Sequence, residues 1–243
     1  MENNNYNLFV CAHKDFGCKL TNPNYTILCG KNDDIKADVP IVHIDDELAN
    51  LGFSEWQKFY HIWKHMEVKD YVGLMHYRRV LLLGDDINNI PPMEDLFKDC
   101  DIIVGEILHC NIRSQYQMCH NIQDLDDCID IIKTDYPDYA DACDRAINGN
   151  RFIICNTCLL KKEDFYDLCE FMFGVLFKFC EKNGIDPSSD DSFRAHKDKL
   201  PKKNEYQTRS AAYLSERLFN VWAEKHQFRI KSVKVVDGGV GNR

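Results

Sequence analysis

Between Val72 and Met75 the chain reads Val-Gly-Leu-Met, without a polar side chain to turn toward water, and it then passes at once into His76-Tyr77-Arg78-Arg79. A strand that does not alternate is covered on both faces, and such strands belong to mainly parallel sheets packed between other layers. In open sheets of this kind ligands sit beyond the carboxyl ends of the strands. His76, Arg78 and Arg79 would therefore stand at a crevice, where guanidinium forks match phosphate oxygens bidentately and an imidazole adds a donor. The bland alternative is a strand that leaves the sheet through two solvated arginines.

The rest of the chain supports the same architecture. Apolar runs predict strands at Asn7–Ala12, Thr26–Gly30, Val39–His43, Tyr71–His76, Asp101–Val104, Phe152–Cys155 and Phe228–Val235. Helical spacing occupies Ser54–Met66, Asp124–Thr134, Glu163–Lys182 and Tyr206–His226, with Ser54 as the expected cap of the first. Strands alternating with helices predict an α/β fold with a mainly parallel central sheet flanked by helices. One domain over residues 1–236 is expected, followed by a disordered tail, 237–243.

At 243 residues with 44% hydrophobic content the chain can bury a large core. Its 30 basic and 39 acidic residues give a net charge of −9, which argues against nucleic acid as a partner. The opening Met1-Glu-Asn-Asn-Asn is polar and carries no signal peptide, so a cytoplasmic location is expected. The 12 cysteines then read as reduced thiols packed as small hydrophobes. Only Cys155-Asn-Thr-Cys158 has metal-ligand spacing, and it lacks a second pair nearby. Leu168–Cys180 is apolar almost all round but too short to span a bilayer, so it predicts a buried central helix, with peripheral membrane contact as the alternative. The polar stretch from Ile185 to Glu205 reads as a lid or as a surface insertion.

Several ordered motifs together carry a resemblance. Cys11-Ala-His-Lys14, Ser54-Glu-Trp-Gln-Lys-Phe-Tyr-His-Ile-Trp-Lys64 and Val72-Gly-Leu-Met-His-Tyr-Arg-Arg79 come first. Gln115-Tyr116, His120, Asp124, Tyr136-Pro137, Asn156, Lys162-Glu-Asp-Phe165 and Tyr213-Leu-Ser-Glu-Arg-Leu218 follow. This series resembles a family of bacterial capsular-polysaccharide-locus proteins, long catalogued as a domain of unknown function. Its members are linked to glycosyl transfer, including galactofuranosyl transfer from a uridine-diphosphate sugar. Two stretches depart from the family pattern: its Asp-Asn-Ile-Ser is not legible around Asp45 to Phe53, and its Asn-Met-Phe-Ile reads Asn156-Thr-Cys-Leu159 here.

The resemblance implies a GT-A-like glycosyltransferase acting in surface polysaccharide synthesis at the cytoplasmic side, with the inner membrane face as an alternative. Its partners would be a nucleotide-sugar donor and a glycan or lipid-linked oligosaccharide acceptor. Many enzymes of that architecture end this strand in an Asp-x-Asp metal motif, whereas here it ends in fixed cations. Metal-independent transfer with no cofactor is the expectation, with a divalent ion as the alternative. Arg78 and Arg79 would hold the diphosphate, or one of them would turn into the core to brace the site, and His76 would donate to a phosphate or sugar oxygen. His13 and Lys14 would lie on the nucleotide side, Glu55 would accept from donor-sugar hydroxyls, and Tyr116, His120 and Asp124 would form the acceptor side. Asp191, with Asp190 and Asp124, is a candidate catalytic base. A non-catalytic nucleotide-sugar or carbohydrate-binding protein is the competing reading, and a phosphate-ester hydrolase is disfavoured by the lack of dense His and Asp ligands.

Overall fold

The computed structural model describes residues 5–238. β1 (Tyr6–Cys11), β2 (Tyr25–Gly30) and β3 (Ile41–Ile44) precede the short α1 (Asn50–Phe53) and α2 (Glu55–His65), which feeds β4 (Tyr71–His76). Next come β5 (Val80–Leu81), α3 (Met93–Leu96), β6 (Ile102–Val104) and β7 (Ile107–Leu108), then α4 (Ile112–Cys119), α5 (Ile122–Asp135) and α6 (Ala140–Asn148). β8 (Phe152–Ile153) and β9 (Cys158–Lys161) lead into α7 (Lys162–Lys182), α8 (Asp190–Lys199), α9 (Ser210–His226), β10 (Ile230–Ser232) and β11 (Val235–Val236).

Among the described residues the central sheet has seven strands in the order β10-β6-β9-β4-β1-β2-β3. β4, β1, β2 and β3 pair in parallel, and β9 runs antiparallel between β4 and β6. This is the expected mainly parallel α/β sheet. The antiparallel strand lies at Cys158–Lys161 rather than at the predicted Phe152–Cys155, of which Phe152 and Ile153 pair with β7 in a separate ribbon. Cys155 and Asn156 have positive φ, 67° and 49°, so the chain reverses between the two strands. The predicted Phe228–Val235 strand is likewise split, β10 joining the sheet edge and β11 pairing with β5.

Side chains of β1 alternate between two cores, as a pleated strand requires. Phe9 and Cys11 face the larger one, with Trp56, Phe59 and Ile62 of α2 and the apolar residues of α7 and α9. Leu8 and Val10 face a second cluster closed by Met93 and Leu96 of α3 and by Tyr77, Val80 and Leu81. Helices thus dominate one face, and a short helix with irregular chain covers the other. At Gly73 the contact is close: a Cβ there would lie 2.6 Å from Leu8 Cδ2, so β4 and its neighbour pack at a spacing that a larger residue would disturb.

α7 forms where predicted, and Phe165, Leu168, Phe171, Met172, Phe173, Leu176 and Phe179 are all buried within the core. Most of its apolar surface is consumed by packing within the core. No helix among the described residues is long and apolar enough to cross one. The Ile185–Glu205 stretch is not an unstructured lid, because it contains α8, whose Phe193 packs edge-on against Phe53 of α1 with ring centroids 5.6 Å apart. Asp190 Oδ1 accepts from the Leu51 N–H at 2.8 Å, tying α8 to α1. At the C-terminus Gly238 is buried and its carbonyl accepts from the Gly17 N–H, so chain order extends past the expected start of the tail; residues 239–243 lie outside the described residues.

Candidate functional site

A cavity of about 280 Å³ opens beyond the carboxyl ends of β1 and β4. Cys11, Ala12 and His13 line it from β1 and its exit, Asn50 and Leu51 from α1, Ser54, Glu55 and Lys58 from α2, His76 and Arg78 from β4 and its exit, and Arg209 from the turn before α9. The site therefore combines two strand ends with the starts of two helices and the turn before a third.

The turn after β4 separates the two arginines. The Arg79 N–H donates to the His76 carbonyl at 2.7 Å, closing a tight reversal through Tyr77 and Arg78. Arg78 is left facing the cavity, its guanidinium carbon 5.5 Å from the Tyr77 ring centre. Arg79 points away, and its Nε lies 3.5 Å from Glu106. Of the two, Arg78 lines the cavity and Arg79 does not.

His76 is arranged as a neutral donor. Its Nδ1 accepts from the Arg78 backbone N–H at 3.2 Å, which leaves the proton on Nε2. Burial, reinforced by Arg78, His13, Arg79 and Arg209, depresses its pKa to about 3. His13 stands at the rim, edge-on to Tyr77 at 5.1 Å, and burial followed by the Lys14 charge lowers its pKa as well. Lys14 itself is exposed and sits 6.0 Å from the Tyr77 ring centre, outside the cavity wall.

Ser54 does not cap α2. With φ 54° and ψ −125° it holds a conformation uncommon for a residue with a side chain, and its Oγ accepts from Arg209 Nη2 at 2.6 Å. Backbone strain of this sort persists where surrounding contacts enforce it. The bond brings a cation from the last third of the chain to the start of α2. One turn on, Lys58 is buried, and its ammonium reaches only amide oxygens, Gln57 Oε1 at 3.2 Å and Asn50 Oδ1 at 3.4 Å. Among the described residues no carboxylate pairs with it.

Glu55 is the carboxylate of the lining. Its Oε1 accepts from Asn156 Nδ2 at 3.1 Å, and Asn156 also donates to Ser215 Oγ at 3.2 Å. Behind Asn156, the Cys155 N–H donates to Glu216 Oε1 at 3.1 Å. Burial raises the pKa of Glu216, while Arg217, 2.8 Å from its other oxygen, pulls it back down. This arrangement fixes Glu55 from behind and leaves its face toward the cavity.

The other sequence-derived candidates lie elsewhere. Tyr116 is buried completely, and His120 is stacked on Tyr213 with ring centroids 3.9 Å apart. Asp124 is buried against His196 Nε2 at 2.9 Å. These three build the helical core rather than the cavity wall. Asp191 is 90% exposed and bound to Arg194 at 2.7 Å on the outside of α8. Sequence reading missed Lys58, Arg209, Asn156 and Ser54 as parts of the site. Lys58 was legible, three residues after Glu55 on one helix face; nothing local marks Arg209. Cys155 and Cys158 form no disulfide, and burial pushes the Cys155 thiol up to about 12.

The fold is that of a glycosyltransferase. The structure of WbbM, a bifunctional glycosyltransferase in its apo form, superposes with a TM-score of 0.75 at 20% identity over 98% of this chain and 46% of that one. The chain thus spans about half the length of the protein it matches. No curated protein matches the sequence. A family model covers residues 7–227, and the chain accordingly belongs to the DUF4422 family, described as a domain of unknown function.

Proposed function

We propose that the protein is a glycosyltransferase that moves a hexose from a nucleotide-diphosphate donor, a uridine-diphosphate sugar, to a glycan acceptor in surface polysaccharide synthesis. One observation carries this reading: in a chain of net charge −9, Lys58, Arg78 and Arg209 converge with His76 on one cavity whose lining holds a single carboxylate, Glu55. Such a surface attracts a compact polyanion. Breaking the bond between sugar and diphosphate leaves negative charge on the diphosphate, and preorganised cations lower that barrier.

In this mechanism Arg78 and Arg209 clamp the phosphates, Lys58 supplies a buried charge at the start of α2, and His76 Nε2–H donates to a phosphate or sugar oxygen. His13 borders the nucleotide at the rim. Glu55 accepts from sugar hydroxyls and, as the carboxylate within reach, takes the acceptor proton in place of the remote Asp191. A divalent ion prefers several oxygen ligands, and a lone carboxylate among cations does not fit that need. Transfer is therefore metal-independent. On the flank of the cavity, Tyr206 is 59% exposed with its ring 5.8 Å from the Arg209 guanidinium carbon, a flat apolar face on which an acceptor sugar can stack. Galactofuranose is the first donor sugar to try, on the resemblance in sequence.

Uridine diphosphate should raise the melting temperature, because a ligand bound by the native state alone stabilises it by mass action. The shift should persist under chelation. No shift at saturating nucleotide, or a shift that a chelator abolishes and manganese or magnesium restores, overturns the reading. Transfer from a panel of uridine-diphosphate sugars then separates an enzyme from a protein that only binds them.

A further inference from the structure

On the outer face of α2, away from the cavity, Glu47, His61 and His65 bring one ligand atom each to within 4.8 Å of the others. His61 and His65 are four residues apart, so they project from the same side of the helix, and their ring centroids are 5.0 Å apart. Glu47 comes from the loop before α1, and its Oε1 already lies 2.6 Å from His65 Nε2. His61 Nδ1 is buried without a hydrogen-bond partner. A buried imidazole nitrogen left in this way requires a physical explanation.

We infer that Glu47, His61 and His65 form a binding site for a divalent transition-metal ion of the zinc class. Two imidazoles and one carboxylate are a ligand set that suits zinc, whereas calcium and magnesium demand oxygen ligands throughout. Ligand atoms about 2.0–2.2 Å from a tetrahedral zinc ion stand roughly 3.3–3.5 Å apart, so Glu47 Oε1 and His65 Nε2, now 2.6 Å apart, have to open by under about an ångström to admit the ion. Glu47 and His65 are both exposed side chains able to do so.

The position defines the role. Glu55, on the cavity, and His65 are separated by ten residues of helix, about 15 Å, so this ion takes no part in chemistry at the cavity. It staples the loop carrying Glu47 to the end of α2. That loop continues into α1, whose Asn50 and Leu51 line the cavity wall, so the ion makes that wall more rigid.

The test uses the full chain, stripped by chelation and titrated with zinc and, separately, with cobalt(II). One zinc per chain is expected to bind and raise the melting temperature. His65→Gln, His61→Gln and Glu47→Gln should each weaken binding by more than the roughly 10- to 100-fold that loss of an outer-shell partner costs. Circular dichroism checks that each variant folds. Cobalt bound by nitrogen and oxygen lacks the thiolate charge-transfer band that any of the free cysteines would give. Failure to bind one ion per chain, a thiolate band, or unchanged affinity in all three variants each overturns the site.

Discussion

The cavity wall and the polar cluster beneath α9 are made of the same residue types and treat them in opposite ways. At the cavity, His76, Arg78 and Lys58 keep donor groups without carboxylate partners among the described residues. In the cluster, Arg217 is 1% exposed, with Nη1 donating to Glu216 at 2.8 Å and to the Tyr213 carbonyl at 2.8 Å, and Nη2 donating to Gln115. Its guanidinium also lies between the Tyr116 and Phe152 rings, 4.9 and 4.7 Å from their centres. Charge that is spent internally holds a core together; charge that is left over is available to a ligand.

The largest effect should come from the cluster. Arg217→Ala removes a fully buried guanidinium and leaves the Glu216 carboxylate, whose side chain is only 20% exposed, without its counter-charge, and removing one partner of a buried pair costs about 3–5 kcal/mol. Urea unfolding should therefore show a steep fall in stability or failure to accumulate as folded protein. A change under about 1 kcal/mol would mean that the cluster is not a paired core, and the contrast with the cavity would collapse.

Next comes Arg78. Arg78→Lys keeps the charge but loses the bidentate fork, and should lower turnover by roughly tenfold or more, equivalent to about 1.4 kcal/mol, with Arg78→Ala worse. Folding should be unaffected. If Arg78→Ala binds uridine diphosphate as tightly as the wild type, this is not the diphosphate site.

A third measurement compares the two regions through pH. Burial first, with nearby cations, depresses His76 to about 3, and burial with the Arg217 charge depresses His120 to about 4, both from 6.5. Between these values the unfolded chain binds more protons than the folded one, so stability rises with pH there. The contribution is complete above pH 6.5 and is lost as the pH falls toward 4 and then 3. His76→Gln with His120→Gln should flatten the stability profile between pH 6.5 and 4, as read by denaturation at each pH. An unaltered slope would show that neither imidazole is held neutral by the fold.

The smallest effect belongs to Arg79. Its pair with Glu106 spans 3.5 Å between side chains 34% and 48% exposed, a setting in which an ion pair contributes about 0–1 kcal/mol. Arg79→Ala should shift the melting temperature little and leave nucleotide binding intact. A loss matching that of Arg78→Ala would place both guanidinium groups on the ligand.

Much of the fold was legible before any coordinates. β1, β2, β4 and α7 lie within a residue or so of where their apolar runs placed them. Misreadings cluster where local pattern and tertiary role part company. Phe152–Cys155 has strand composition, yet the sheet takes Cys158–Lys161, because two left-handed residues reverse the chain between them. α8 carries few apolar residues and read as loop; burial of Phe193 against α1 is what holds it. For the site, His13, Glu55, His76 and Arg78 line the cavity as expected, while Tyr116, His120 and Asp124 are buried in the core.

The sequence by itself determined that a buried strand ends in a histidine and two arginines and that helices alternate with strands around it, because periodicity and strand ends are properties of neighbouring residues. It could not choose between Arg78 and Arg79. A tight turn made that choice, since the His76 carbonyl captures the Arg79 N–H and sends the two side chains apart. Nor could it bring Arg209 to Ser54 or leave Lys58 facing only amides. The Arg209–Ser54 contact joins residues 155 apart along the chain, and only the packing of α9 and α1 against α2 puts Arg209 and Lys58 on the same cavity.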